Sequence, residues 1–182
     1  MARIPLIEKK ESLSPEHQAI YDAIAQSRGR VQGPFSALLH SPTIAERTAN
    51  LGAYIRFEST LDPRIVELAA LATSRELKCR HEWAAHVAHA QKAGIRMDTI
   101  KAVHARSDPT GLSPEDAQLV SYVQELLRSH EVSEPTFNAM RDRLGVNKLV
   151  ELTATIGYYA MLACTLNAFD VAHVTPPDDL KI

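Results

Sequence analysis

One short stretch gathers residue types that can do chemistry together. Cys79, Glu82, His86 and Ala90 recur at intervals of three and four, so on a helix they share a face. An ordinary buried stripe would be aliphatic, whereas this one carries a thiol, a carboxylate and an imidazole. Glu82 and His86 stand four apart and can touch across one turn. An acid beside an imidazole raises its pKa and orients it, which suits a general acid/base. The competing reading is a solvated pair on an outer face. Trp83, Val87 and the alanines around them weaken it by marking much of the helix as buried. His86 is therefore the first candidate for proton transfer, with Glu82 beside it.

Cys79 sits where that helix should start. Unpaired N–H groups and the positive dipole end favour thiolate there, and Arg80 is adjacent. The alternative is a small buried hydrophobe. Glu67 lies in an apolar run, Val66 to Leu71, and a buried glutamate must be paired or neutral. It is either a functional acid or a helix-crossing anchor for an arginine such as Arg75. His81 is two residues from Cys79, which aims it away from the shared face unless the first turn is distorted. His81, Glu82 and His86 make one conceivable metal set, and His86-x-x-His89 another. Metalloprotease helices instead place two histidines four apart with the acid beside the first, so no metal is assigned. His89 and His104 read as surface or core-edge residues, and Cys164, in the apolar run Tyr159 to Cys164, as structural.

The elements that must position these groups are all helical. Ser14-Pro15-Glu16, Ser41-Pro42, Asp62-Pro63, Ser113-Pro114 and Ser133-Glu134-Pro135 each combine a capping residue with a proline suited to the first turn. The expected helices run from Ser14 to about Ser27, from Ser41 to about Phe57, from Asp62 to a corner near Lys78, and from Cys79 to Gly94, a C′ glycine. A short one follows from Asp98 to about Ala105, then Ser113 to about Ser129, Ser133 to about Gly145, and Asn147 to Phe169. Residues 28–33 and 106–112 read as loops, the second carrying Pro109 and Gly111. No stretch alternates with period two, so the chain is expected to be all-α. Residues 1–13 read as an N-terminal arm, 14–172 as one domain and 173–182 as a C-terminal tail. Arg64-Ile-Val-Glu-Leu and Lys148-Leu-Val-Glu-Leu echo each other, as two amphipathic helices do by chance or by an old duplication.

Composition narrows the function classes. The chain has 182 residues, 45% of them apolar, enough for a real core. A net charge of −2 and only 5% aromatics provide neither a basic face nor a base-stacking surface, so nucleic acid is not an expected partner. No apolar run approaches the ~20 residues of a membrane span, and no signal core opens the chain. Two cysteines 85 positions apart make no disulfide framework. The expectation is a cytoplasmic protein without a membrane partner.

The pattern Glu67-x11-Cys79-x-His81-Glu82-Trp83-x-x-His86, followed by Ala93-Gly94-Ile95, resembles the carboxymuconolactone decarboxylase family within the wider AhpD-like group, which includes alkyl hydroperoxidases. The peroxidase branch carries a glutamate and then, twelve residues on, C-x-H-C-x-x-x-H. Glu67, Cys79, His81 and His86 occupy those places, and Glu82 stands at the second cysteine. The chain thus resembles the branch with Glu-Trp-x-x-His and no redox Cys-x-x-Cys. The likeness continues through Leu112-Ser-Pro-Glu-Asp to Leu149-Val-Glu-Leu and Asn167-Ala-Phe.

That resemblance implies an all-α AhpD-like bundle of six or more helices, assembled as a dimer, trimer or hexamer with the motif helices near a subunit contact. It also implies a cofactor-independent lyase or isomerase acting on a small carboxylated or lactone-like molecule. His86 would move the proton, with Glu67 and Glu82 sharing the task and Cys79 lining the pocket or acting as nucleophile. Arg75 or Arg80 would hold the substrate carboxylate, and His81 and Trp83 are the remaining substrate-binding candidates. A second reading is a one-cysteine peroxidase using Cys79, since a dithiol cycle needs a resolving thiol that Glu82 replaces. A third is a non-catalytic, oligomeric small-molecule binding protein.

Overall fold

The computed structural model describes residues 2–106, 111–171 and 174–182. Pro109 of the expected loop and His173 at the start of the expected tail lie outside them. Eight α-helices account for most of the described chain: α1 Gln18–Arg28, α2 Pro34–Leu38, α3 Pro42–Ala53, α4 Pro63–Glu76, α5 Arg80–Lys92, α6 Met97–Ala105, α7 Pro114–Arg128 and α8 Glu134–Phe169. No strand occurs among the described residues, so the fold class is all-α as expected.

Helix α4 is the centre of the bundle and packs against α5, α7 and α8. Leu68 to Ala72 are each at most 1% exposed, so the middle of this helix is buried on every side. Burying leucines such as Leu68 and Leu71 stabilises the fold by about 1.5–3 kcal/mol each. Both ends of α4 are also tied by charge. At its start Arg64 meets the buried Asp116 of α7 at 2.7 Å. At its end Glu76 takes Arg106 at 2.6 Å and Arg128 at 2.5 Å. Burial works against the Glu76 carboxylate, yet the two guanidinium groups hold its carboxyl below the usual range. These ties fix where Glu67 stands.

Punctuation in the sequence and helix boundaries agree where a local cap decides them. Asp62 accepts from the Arg64 N–H and Ser113 from that of Asp116. Helix α5 stops where Gly94 turns to φ 82°, with the Ile95 N–H reaching the Ala90 carbonyl. Helix α8 contains both expected helices, joined through Gly145, whose φ 75° and ψ 164° are not helical. Three details differ. The Ser14 start opens as a 3-10 turn, Pro15–His17, before α1. The Ser41 helix changes at Tyr54–Glu58 into a π-turn. Helix α2 was not expected: Gly33, at φ 59°, and Pro34 open it directly behind the 28–33 loop.

The arm and the tail both return to their own chain. Ile7 is buried and its N–H reaches the Ser36 carbonyl, while the Arg3 N–H reaches Phe169. Leu180 is buried, and its carbonyl accepts from Trp83 Nε1 at 2.6 Å. Helix α8 is long and apolar enough to cross a membrane by length and composition, but more than half of its most apolar stretch is buried inside the protein.

Candidate active site

The α4–α5 contact brings Glu67 to His86. His86 Nδ1 lies 2.6 Å from Glu67 Oε2, and its other nitrogen, Nε2, lies 3.3 Å from Glu82 Oε2 one turn back on α5. The imidazole is thus held between two carboxylates, its side chain 9% exposed. Tyr159 of α8 closes it from the side, edge to face at 4.8 Å. Burial alone pulls the His86 pKa down. The hydrogen bonds and charges of Glu67 and Glu82 outweigh it and hold the pKa at about 9. His86 is therefore an imidazolium near neutrality. Glu67 pairs with His86 and not with Arg75, so the expected arginine anchor is not formed.

Glu82 and His86 line a cavity of about 150 Å³, together with His81, Phe35, Tyr158 and Leu162. His81 enters it although its spacing from Cys79 pointed elsewhere, because the cavity wall includes the N-terminal turn of α5. Gly33 makes room for that ring: a Cβ there would stand 2.7 Å from His81 Nε2. Burial raises the pKa of Tyr158 and of Tyr159, so both phenols stay neutral.

Three arginines line the same cavity, Arg28, Arg30 and Arg56. They come from the end of α1, the loop behind it and the π-turn after α3, none of them in the motif helices. Arg28 lies over the Phe35 ring at 4.1 Å and donates to Tyr158 Oη at 3.3 Å. Gly52 of α3 leaves room for this pair, since a Cβ there would collide with both the Tyr158 hydroxyl and the Arg28 guanidinium. No spacing in the sequence links these arginines to His86.

The other candidates stand elsewhere. Arg75 donates from Nε to the His104 carbonyl at 2.6 Å, and Arg80 pairs with Asp170 at 3.2 Å. Trp83 is fully buried with its N–H committed to Leu180. None of the three lines this cavity. Cys79 is 0% exposed, packed among Ala37, Ala163, Leu166 and Val171. Burial pushes its thiol up to about 11, although the Glu82 and His81 N–H groups pull the other way. The helix-start environment is present at Cys79, but desolvation overrides it.

A cation could draw on Glu67, His86 and His89, whose donor atoms all lie within 4.8 Å of one another. His89 Nδ1 stands 3.8 Å from Glu67 Oε1 on a half-exposed side chain. The short bond between His86 and Glu67 already engages two of these three donors, so an ion would have to displace its proton.

Residues 42–125 match the carboxymuconolactone decarboxylase family, a span that includes Glu67, Cys79, His81, Glu82 and His86. No functionally curated protein matches the chain. Among solved structures, an uncharacterised peroxidase-related protein with an alkylhydroperoxidase AhpD core from Ralstonia eutropha JMP134 superposes with a TM-score of 0.73 at 18% identity, covering 98% of this chain and 94% of that one. A peroxidase-related protein from Silicibacter sp. TM1040 gives 0.72 at 16% identity, covering 98% and 95%. A cysteine-to-alanine variant of the debrominase Bmp8, in complex with 2,3,4-tribromopyrrole, gives 0.73 at 12% identity, covering 94% and 92%. Identities this low speak for the fold alone. The chain is thus an AhpD-like protein in fold, with the carboxymuconolactone decarboxylase family pattern on the helices that hold His86 between two carboxylates.

Proposed function

We propose that this protein is an acid–base enzyme, a lyase or isomerase that needs no cofactor and acts on a small carboxylated or lactone-like molecule. The observation that carries the reading is the imidazolium of His86 bridging two carboxylates at the wall of a cavity rimmed by arginine. Both ring nitrogens are engaged, so His86 serves as the centre of a relay. Glu82, which lines the cavity, exchanges a proton with the substrate, His86 resupplies it, and Glu67 holds the far nitrogen. In a decarboxylation the carbon–carboxylate bond breaks, CO2 leaves, and the electron pair remains on carbon as an enolate. The relay protonates that carbon. Arg28, Arg30 and Arg56 take the role expected of Arg75 and Arg80, holding the anionic end of the substrate.

Carboxylated lactones and β-keto acids incubated in D2O and followed by NMR test this reading. Deuterium should enter at the carbon beside the lost or shifted group. If no compound exchanges or turns over at any pH, the non-catalytic binding reading takes its place.

The peroxidase alternative receives little support from Cys79, which is sealed from solvent and held as a thiol. Stoichiometric peroxide should leave Cys79 unmodified and react at the exposed Cys164. Peptide mass spectrometry without reduction reads this directly. Sulfenic acid on Cys79, or a Cys79–Cys164 bridge, would restore the peroxidase assignment. Self-association is also part of the proposal: Val146, Val150 and Met161 lie exposed along α8, and light scattering should give at least a dimer.

A further inference from the structure

The π-turn Tyr54–Glu58 ends α3 with a widened last turn and carries Arg56. Such local widening of a helix is frequent at functional sites, because it re-aims a side chain at the cost of regular hydrogen bonds. Something must therefore hold the turn, and one buried carboxylate does so. Glu151 Oε1 accepts from Tyr54 Oη at 2.7 Å. Its Oε2 accepts from Ser59 Oγ at 2.8 Å, from the Thr60 N–H at 2.9 Å and from Thr60 Oγ1 at 3.0 Å. One side chain on α8 thus grips the segment on both sides of Arg56.

Arg56 faces the cavity. Burial dominates at His89, Tyr158 and Tyr159 and nearer groups come next, but the Arg56 charge is still felt at all three. Among the described residues Arg56 is exposed and forms no ion pair with a carboxylate; its guanidinium lies 5.2 Å from the centroid of the exposed Phe57 ring, a contact that leaves its N–H donors open to an anion. The echo between Arg64-Ile-Val-Glu-Leu and Lys148-Leu-Val-Glu-Leu also acquires a physical meaning. The glutamate of the first copy orients His86, and the glutamate of the second is Glu151.

We propose that Glu151 is a positioning residue that clamps the 54–60 turn and thereby fixes Arg56 at the cavity mouth, where it receives the anionic end of a small ligand. The charge of that ligand rests on the function proposed above, whereas the clamp itself does not. Without its acceptors the Tyr54, Ser59 and Thr60 donors lose their common partner and the turn is free to refold as regular helix or to fray.

NMR on the full-length, 15N-labelled protein tests this. Glu151→Met keeps length and helix propensity but removes both acceptors. The Arg56 backbone N–H order parameter should fall from a rigid value near 0.85 to below about 0.6. Tyr54→Phe, which deletes one of the four bonds at a half-exposed site, should give a smaller fall and keeps the test available if the methionine variant does not fold. Glu151→Gln should restore order, because its amide oxygen can serve the Ser59 and Thr60 donors while the Tyr54 hydroxyl turns to accept. Benzoate supplies the second reading, as a probe carboxylate titrated against the His86 and His89 ring signals. Glu151→Met and Arg56→Gln should each weaken it about 10-fold, the loss of one charge-assisted bond, and the double variant should be no worse than Arg56→Gln alone. Unchanged Arg56 order in Glu151→Met, or losses that multiply in the double variant, would overturn the proposal. Failure of benzoate to bind the wild-type protein would count against the carboxylate function, and the Arg56 order would still decide the clamp.

Discussion

Replacing His86 with glutamine should lower turnover by ~10²–10⁴-fold while leaving the helical content unchanged, the usual range for loss of a positioned acid–base group. Glutamine fills much of the same space and can donate to one of the two carboxylates, but it cannot carry a proton from one to the other. The loss should appear in kcat, because the arginines proposed to hold the substrate are untouched. Stopped-assay kinetics on the substrate found by deuterium exchange, with circular dichroism as the folding control, give the answer. Full activity in the glutamine variant would end the relay. The same geometry sets the alkaline limit of activity: turnover should fall as pH rises through about 9, where His86 gives up its second proton.

Stability should follow the same proton. The His86 pKa is raised from 6.5 in the unfolded chain to about 9 in the folded one. Below 6.5 both states hold the proton and its full contribution is present, and that contribution is lost as pH rises through 9. The difference is on the order of 3 kcal/mol, since each pH unit is worth about 1.4. Urea midpoints measured near pH 6 and again near pH 10 should therefore drop more steeply in the wild-type protein than in His86→Gln. Parallel slopes in the two proteins would show that His86 is not the titrating group. Groups remote from the Glu67–His86–Glu82 cluster are common to both proteins and cancel in the comparison.

The two expectations share a cause. Two carboxylates close to one site in a protein interior repel each other unless a cation lies between them. Glu67 and Glu82 are brought together only because the His86 imidazolium joins them. Removing it should lower turnover and also leaves two buried acids short of a partner, which is why folding controls accompany every kinetic measurement at this position.

The sequence by itself determined the helices and the central part of the site. Caps and C′ glycines act within a few residues, so Asp62, Ser113 and Gly94 mark helix ends wherever the rest of the chain lies. Glu82 and His86 are one turn apart on any helix, so their pairing was written in the spacing, and the consecutive apolar residues around Glu67 marked α4 as core. Tertiary structure decided what those residues face. Cys79 shows this best: its place at a helix start favours thiolate, yet packing against Ala163 and Leu166 desolvates it and reverses the sign. The arginines show it as well. Arg75 and Arg80 are near the motif in sequence but are spent on His104 and Asp170, while Arg28, Arg30 and Arg56 arrive from α1, its loop and the π-turn. Spacing governs contacts within one helix, whereas contacts between helices depend on how whole faces pack, and no local pattern encodes that.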